Sequence, residues 1–175
     1  MKNEDITKLL PHDSDKAFRM LFDNYKEPLY WHIRRLVVSH ADAQDALQNT
    51  FVRIYRSLGS LINADSLVAW IYRIATNEAL RVVKDESHIL SRLDEPEACE
   101  VKADNYVDYS DLEAVRLQKA ILSLPQKQRI AFTMRYYDNL DFSDIAQVTG
   151  SSAASAKVNY HVAKNKIISY MTSTD

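Results

Sequence analysis

The sequence predicts an all-α protein made of two small helical domains joined by an acidic linker, with a helix-turn-helix at the end of the second domain. Only two glycines and four prolines interrupt the 175 residues, which favours continuous helices. Apolar residues recur every three or four positions through most of the chain. Charge is segregated, because residues 93–113 carry a net charge of −7, residues 1–92 carry +1 and residues 114–175 carry +4. The acidic stretch therefore predicts a linker.

The charge pattern places the first domain at residues 12–92, the linker at residues 93–110 and the second domain at residues 111–175. No window approaches the roughly 20 apolar residues that a membrane span needs, so we expect no direct membrane insertion and a cytoplasmic location. Cys99 is the only cysteine and has no Cys or His neighbour at zinc spacing. We therefore expect no disulfide, no metal and no cofactor, and packing must hold the fold.

The first domain is predicted to contain four helices. Pro28 should end the first helix and start the second. The third should begin near Asp42 and end at Gly59, a residue that tolerates a left-handed cap. Asp65 or Ser66 can cap the fourth. The expected buried stripes are Phe18, Leu21, Phe22 and Tyr25, then Leu29, Ile33, Leu36 and Val37, then Ala43, Leu47, Thr50, Phe51, Ile54 and Leu58, and finally Leu67, Ile71, Ile74, Ala75 and Val82.

The second domain is predicted to begin with a capping box, because Ser110 and Glu113 have the spacing that satisfies the first free amides of a helix reciprocally. Pro125 suits the first turn of the following helix. Asp141 should then cap a short helix that contains Ile145, Ala146 and Val148. Together these signals predict two helices that lead into a third, short one.

The chain ends with a helix-turn-helix pattern. Gly150 should break the short helix, and Ser151 or Ser152 should cap the last one. A buried stripe at helical spacing would pack the last helix on the preceding one, and it consists of Ala156, Tyr160, Ala163 and Ile167. The remaining face carries Ser155, Lys157, Val158, Asn159, His161, Val162 and Lys164. Such a polar and basic face is typical of a second helix that enters the major groove, although an ordinary helical hairpin would share the turn.

Two further polar faces are candidate binding surfaces. On the third helix, the side chains that point away from the apolar stripe suit docking of another protein, although a solvated face remains an alternative. They are Asp45, Gln48, Asn49 and Arg53. On the fourth helix, an aromatic ring and cations could hold unstacked bases and phosphates, although Trp70 could equally be a core residue. This set is Trp70, Arg73, Asn77 and Arg81.

Three motifs in this order resemble the extracytoplasmic-function group of bacterial sigma factors, which are small alternative sigma factors with regions 2 and 4. The stretch HADAQDALQNTFVRIYRSL is similar to the segment that docks on the coiled coil of the RNA polymerase β′ subunit. AWIYRIATNEAL is similar to the helix that melts and reads the promoter −10 element. LSLPQKQRIAFTMRYYDNLDFSDIAQVTGSS is similar to the lead into the region 4 helix-turn-helix, which reads the −35 element.

The resemblance implies a role in transcription initiation, with core RNA polymerase (its β′ and β subunits), promoter DNA and an anti-sigma factor as partners. Relatives often have arginines where this chain has Asn159 and Val162, so guanine contacts by paired arginines are not expected there, and Val158 or Val162 could contact a thymine methyl group. Catalysis is not expected, because the chain has no glycine-rich phosphate loop and Cys99 sits in an acidic stretch. The competing hypothesis is a helix-turn-helix regulator that binds duplex DNA without polymerase.

Overall fold

The computed structural model describes residues 3–37, 39–84 and 111–173, and those residues form eight helices. The all-α prediction is confirmed for this part of the chain, and the predicted acidic linker at residues 93–110 lies outside it. In chain order the helices are α1 (Asn3–Leu9), α2 (Ser14–Val37), α3 (His40–Leu61), α4 (Leu67–Lys84), α5 (Leu112–Leu122), α6 (Gln126–Tyr136), α7 (Phe142–Thr149) and α8 (Ala153–Thr172). We call α1–α4 the N-terminal half and α5–α8 the C-terminal half.

Helix α2 continues through Pro28, so the prediction of two separate helices is wrong. A proline inside a helix removes one backbone hydrogen bond, here the bond to the carbonyl of Asn24. Both Pro28 and Asn24 are exposed, so water can bond to that carbonyl. Leu21 and Leu29 are fully buried on either side of the proline. Their packing on one continuous helical face outweighs the lost hydrogen bond.

Helix α3 likewise continues past Gly59 and ends at Leu61, so the predicted end at Gly59 is wrong. Leu58 and Leu61 are both buried, and their spacing of three extends the apolar stripe beyond the exposed glycine. Helix α1 was not predicted. Its Ile6 is fully buried in the core, which brings the first residues of the chain into the fold.

The helix caps agree with the sequence at α4 and differ at α5. Ser66 Oγ accepts a hydrogen bond from the backbone N–H of Ala69 at 3.2 Å, as predicted for the start of α4. At α5 the cap is Asp111, whose Oδ1 accepts from the backbone N–H of Glu113 at 2.9 Å. The expected cap Ser110 lies outside the described residues. The Asp111 carboxylate also interacts favourably with the positive end of the helix.

The turn between α7 and α8 forms as predicted. Asp141 caps α7 by accepting from the backbone N–H of Asp144 at 2.8 Å. Gly150 ends α7 in the left-handed conformation, with φ of 66°, which costs a glycine little. Ser152 then caps α8 by accepting from the backbone N–H of Ser155 at 3.1 Å. The chain therefore reverses within three residues and places α8 against α7.

The two halves share one apolar core. Leu21, Ile54 and Ile71 of the N-terminal half pack in the same cluster as Met134 and Ile145 of the C-terminal half. Helix α7 contacts α4 directly, and α6 contacts α2. A second, smaller cluster lies wholly within the C-terminal half. The sequence did not predict this contact between the halves.

A polar group at the edge of this core also joins the halves, and we call it the seam cluster (His32, Arg35, Thr76 and Asp138). His32 is fully buried, with Nδ1 2.9 Å from Asp138 Oδ2 and Nε2 2.8 Å from Thr76 Oγ1. Arg35 NH1 donates to Asp138 Oδ1 at 3.4 Å, and its guanidinium lies 4.2 Å from the ring centre of Tyr137. The carboxylate of Asp138 therefore contacts two residues of α2.

Among the helices of the described segments, none is both long and apolar enough to cross a membrane.

Candidate nucleic-acid and protein interfaces

The predicted docking residues of α3 all lie on its exposed face. Asp45, Gln48, Asn49 and Arg53 are exposed, whereas Ala46, Thr50 and Ile54 on the opposite side are buried. An α-helix places residues three and four apart on one side, so the four side chains form a continuous polar strip.

An apolar groove runs beside this strip between α2 and α3, with a volume of about 730 Å³. We call it the α2–α3 groove. Phe22 is 39% exposed and Tyr55 is 54% exposed, although both are aromatic. Their rings pack on neighbours, with ring centres 4.7 Å apart for Phe22 and Phe51 and 5.1 Å apart for Phe18 and Tyr55. Gln48 also lines the groove.

Sequence reasoning missed this groove because it assigned Phe18 and Phe22 to a buried stripe. The available signal was an excess of aromatic residues, since Phe18, Phe22, Phe51 and Tyr55 exceed what one helix pair needs for its core. Exposed aromatic rings beside a polar strip are typical of a protein-binding surface.

Arg53 has a second role. It forms an ion pair with Oε1 of Glu78, a residue of α4 that is only 4% exposed. Arg81 NH1 lies 3.6 Å from the same oxygen. Arg53 therefore also supports the contact between α3 and α4. Helical periodicity does not predict this pair, because Arg53 and Glu78 are 25 positions apart.

The predicted nucleic-acid residues of α4 divide into two groups. Arg73, Asn77 and Arg81 are exposed and are spaced by four, so they share one face. Trp70 is half-buried and packs against the main core. The core interpretation of Trp70 is therefore confirmed in part.

Helix α8 shows one buried and one exposed side. Ala156, Ala163 and Ile167 are buried, and Tyr160 is half-buried with its ring stacked 5.9 Å from that of Phe132. This anchors the helix on α6. The opposite side presents Ser155, Lys157, Val158, His161, Val162 and Lys164 as exposed residues, and Asn159 as a half-buried one.

Two valines stand out on that exposed side. Val158 is 61% exposed and Val162 is 37% exposed, and both lie in the first three turns of α8. Lys157 lies next to Val158 and is exposed. This surface can supply a cation to phosphate and methyl groups to an apolar base edge.

These features indicate a class of protein: a helical DNA-binding protein with a helix-turn-helix in its C-terminal half and a candidate protein-docking face in its N-terminal half. Residues 21–89 match the family described as Sigma-70 region 2, and residues 114–167 match Sigma-70 region 4. The two matches together cover more than two thirds of the chain. The chain belongs to the sigma-70 family, in the extracytoplasmic-function group, and is an alternative sigma factor.

Proteins of similar sequence are also sigma factors. The chain is 26% identical over 167 residues to the ECF RNA polymerase sigma factor SigW of Bacillus subtilis, a match that covers 89% of each chain. It is 25% identical over 164 residues to the RNA polymerase sigma-H factor of Pseudomonas aeruginosa, covering 84% of this chain and 82% of that one. Sigma factors act in transcription initiation by binding core polymerase and promoter DNA.

Solved structures share the fold. CnrH, in complex with the cytosolic domain of CnrY, gives a TM-score of 0.72 at 17% identity and covers 97% of both chains. The sigma factor RpoE of Bartonella quintana, in complex with the anti-sigma factor NepR, gives 0.69 at 19% identity and covers 91% of this chain and 99% of that chain.

The resemblance to sigma factors is thus confirmed, and the alternative of a regulator that works without polymerase is not supported. Such a regulator would account for residues 114–167 and would leave the region 2 match at residues 21–89 unexplained. The individual contact residues stay predictions.

Proposed function

We propose that the exposed face of α4 holds the unpaired −10 strand, that the first three turns of α8 read the −35 element, and that α3 with the α2–α3 groove docks core polymerase. The observation that carries this proposal is the exposure of Arg73, Asn77 and Arg81 on one face of the region 2 helix. The chain acts by binding and positioning DNA in the cytoplasm, without a catalytic step of its own.

The α4 face suits a single strand better than a duplex. Arg73 and Arg81 are eight residues apart, about 12 Å along a helix, and can contact two separate phosphates of one strand. Asn77 lies midway, and its amide can both donate to and accept from an extruded base. Extruding a base costs a few kcal/mol, so a site that binds only the extruded form stabilises the melted promoter.

The α8 face suits duplex DNA. Exposed Lys157 and Lys164 can neutralise phosphates, and Val158 and Val162 can contact the methyl group of thymine. Its exposed set contains no arginine for bidentate contacts with guanine. We therefore infer a −35 preference that depends on thymines more than on guanines.

The α2–α3 groove supports docking of a helical partner. Its exposed aromatic side chains, Phe22 and Tyr55, can receive the apolar side of a helix, while Gln48 at the rim can bond to the polar side. Core polymerase is the proposed partner. A structural neighbour was solved with an anti-sigma factor, so we also propose an anti-sigma factor as a partner of this chain.

Promoter opening separates the two proposed DNA contacts. Asn77→Ala should reduce open-complex yield most on fully paired promoters, and a pre-melted bubble should recover part of the loss because the cost of unstacking is removed. Lys157→Ala should weaken binding without rescue by the bubble, because Lys157 acts on duplex DNA. Permanganate footprinting with core polymerase on paired and pre-melted templates measures both effects.

Asn63→Ala is the matched control, because it removes the same side chain from an exposed position in the turn between α3 and α4. It should leave open-complex yield unchanged on both templates. Equal rescue of Asn77→Ala and Lys157→Ala would contradict the assignment of at least one helix.

A further inference from the structure

A second pocket lies where the region 2 helix α4 meets the region 4 helix α6. It has a volume of about 360 Å³ and is lined by Asn77, Leu80, Arg81, Val83, Gln126 and Arg129. Pockets that bind small molecules begin at about 300 Å³. Both halves of the chain contribute to the lining, so a ligand there would bridge region 2 and region 4.

Arg129 is the unusual member of this lining. It is only 7% exposed, and its Nε has no hydrogen-bond partner. None of the carboxylates in the described segments forms an ion pair with it. An unpaired buried guanidinium is costly unless an anion reaches it. Burial lowers the pKa of Arg129.

The surroundings of Arg129 also favour an anion. Helix α6 begins at Gln126 after Pro125, which gives no side-chain hydrogen bond to the first amides, so the positive end of the helix is uncapped. Arg81 adds a second guanidinium from α4. Glu78 offsets part of that charge, since it lies 3.6 Å from Arg81, but it is also paired with Arg53.

We propose that this α4–α6 pocket binds a small phosphate-bearing ligand. A phosphate presents three acceptor oxygens to the guanidinium groups of Arg129 and Arg81. The side-chain amides of Asn77 and Gln126 can donate further hydrogen bonds to these oxygens. Leu80 and Val83 form an apolar wall for the organic part of the ligand. If the proposed −10 role of Asn77 and Arg81 is right, the ligand also competes with the promoter strand.

Calorimetry on the full chain without DNA or polymerase tests the pocket, with inorganic pyrophosphate and AMP as probes. We expect one site per chain. Arg129→Met keeps the length of the side chain and removes its donors, and should weaken binding by about tenfold or more. Lys127→Gln removes the same charge from an exposed neighbour on α6 and should change affinity by less than about twofold.

The proposal fails if neither probe binds at millimolar concentration, or if Arg129→Met and Lys127→Gln weaken binding equally. Binding of a single-stranded tetrathymidylate alone would assign the surface to DNA and would also overturn a small-ligand site. Circular dichroism checks the fold of Arg129→Met, and Gln126→Ala replaces it if the fold is lost, with a smaller loss of affinity expected. A failure here leaves the promoter-opening test untouched, because that test does not use Arg129.

Discussion

Arg53 shows how one side chain can serve two surfaces. It lies on the exposed strip of α3 and is bonded to Glu78, whose carboxylate is nearly buried in α4. The sequence showed the first property, because helical spacing separates exposed from buried positions. It could not show the second, because a pair formed between two helices has no periodic signature. A charge reversal at Arg53 would therefore disturb the fold as well as docking.

Stability measurements should separate Arg53 from its neighbour Gln48. Arg53→Glu should lower the free energy of unfolding by about 1–3 kcal/mol, since it leaves the Glu78 carboxylate with one partner fewer and adds a like charge. Gln48→Ala should change stability by less than about 0.5 kcal/mol and still weaken capture of core polymerase. Urea unfolding and a polymerase pull-down measure the two effects. Wild-type stability of Arg53→Glu would show that the ion pair does not contribute.

At the level of the helices, the helix ends show which sequence signals determine where a helix stops. Asp141, Gly150 and Ser152 form the predicted turn because each supplies a local interaction that the sequence itself specifies. Pro28 and Gly59 did not end their helices, because buried leucines on both sides continue the apolar face. Local signals thus predict an element correctly where no packing opposes them, and tertiary packing overrides them elsewhere.

The two glycines give a matched pair of substitutions. Gly150→Ala should destabilise the protein by about 1–2 kcal/mol, because an alanine in the left-handed conformation is strained. Gly59→Ala should stabilise it by about 0.5–1 kcal/mol, because alanine is the better helix residue and no heavy atom lies within 4 Å of the added Cβ. Thermal unfolding should show opposite shifts in melting temperature. Two shifts of the same sign would contradict this account of the turn.

For the whole molecule, the arrangement of the halves lay beyond the sequence. Region 2 and region 4 were predictable as separate units, since each has its own periodicity and motifs. Their packing includes a contact between His32 and Asp138, which are 106 positions apart. Burial raises the pKa of Tyr72 in region 2, and the charge of Asp138 in region 4 raises it further. The spacing of residues along the sequence does not predict such a long-range contact.

The seam cluster should hold the two halves together in the free chain. Asp138→Asn keeps the size of the side chain but removes the charge that pairs with Arg35 and also one of the two carboxylate oxygens that contact α2. Because breaking a buried ion pair costs about 3–5 kcal/mol, the separated form should become at least about 100-fold more populated. A compact chain of this length has a radius of gyration of about 16 Å, and small-angle scattering should give a larger value for the variant.

Asp65→Asn is the control for that measurement, because it removes the same charge from an exposed position of the N-terminal half. It should retain the compact radius. The apolar contact through Met134 and Ile145 also joins the halves. The radius of the variant therefore shows whether this apolar contact is sufficient without the polar contacts of Asp138. An Asp138→Asn variant with the wild-type radius would show that apolar packing alone keeps region 4 on α4. A larger radius would show that the contacts of Asp138 with α2 are needed to keep region 4 packed on region 2.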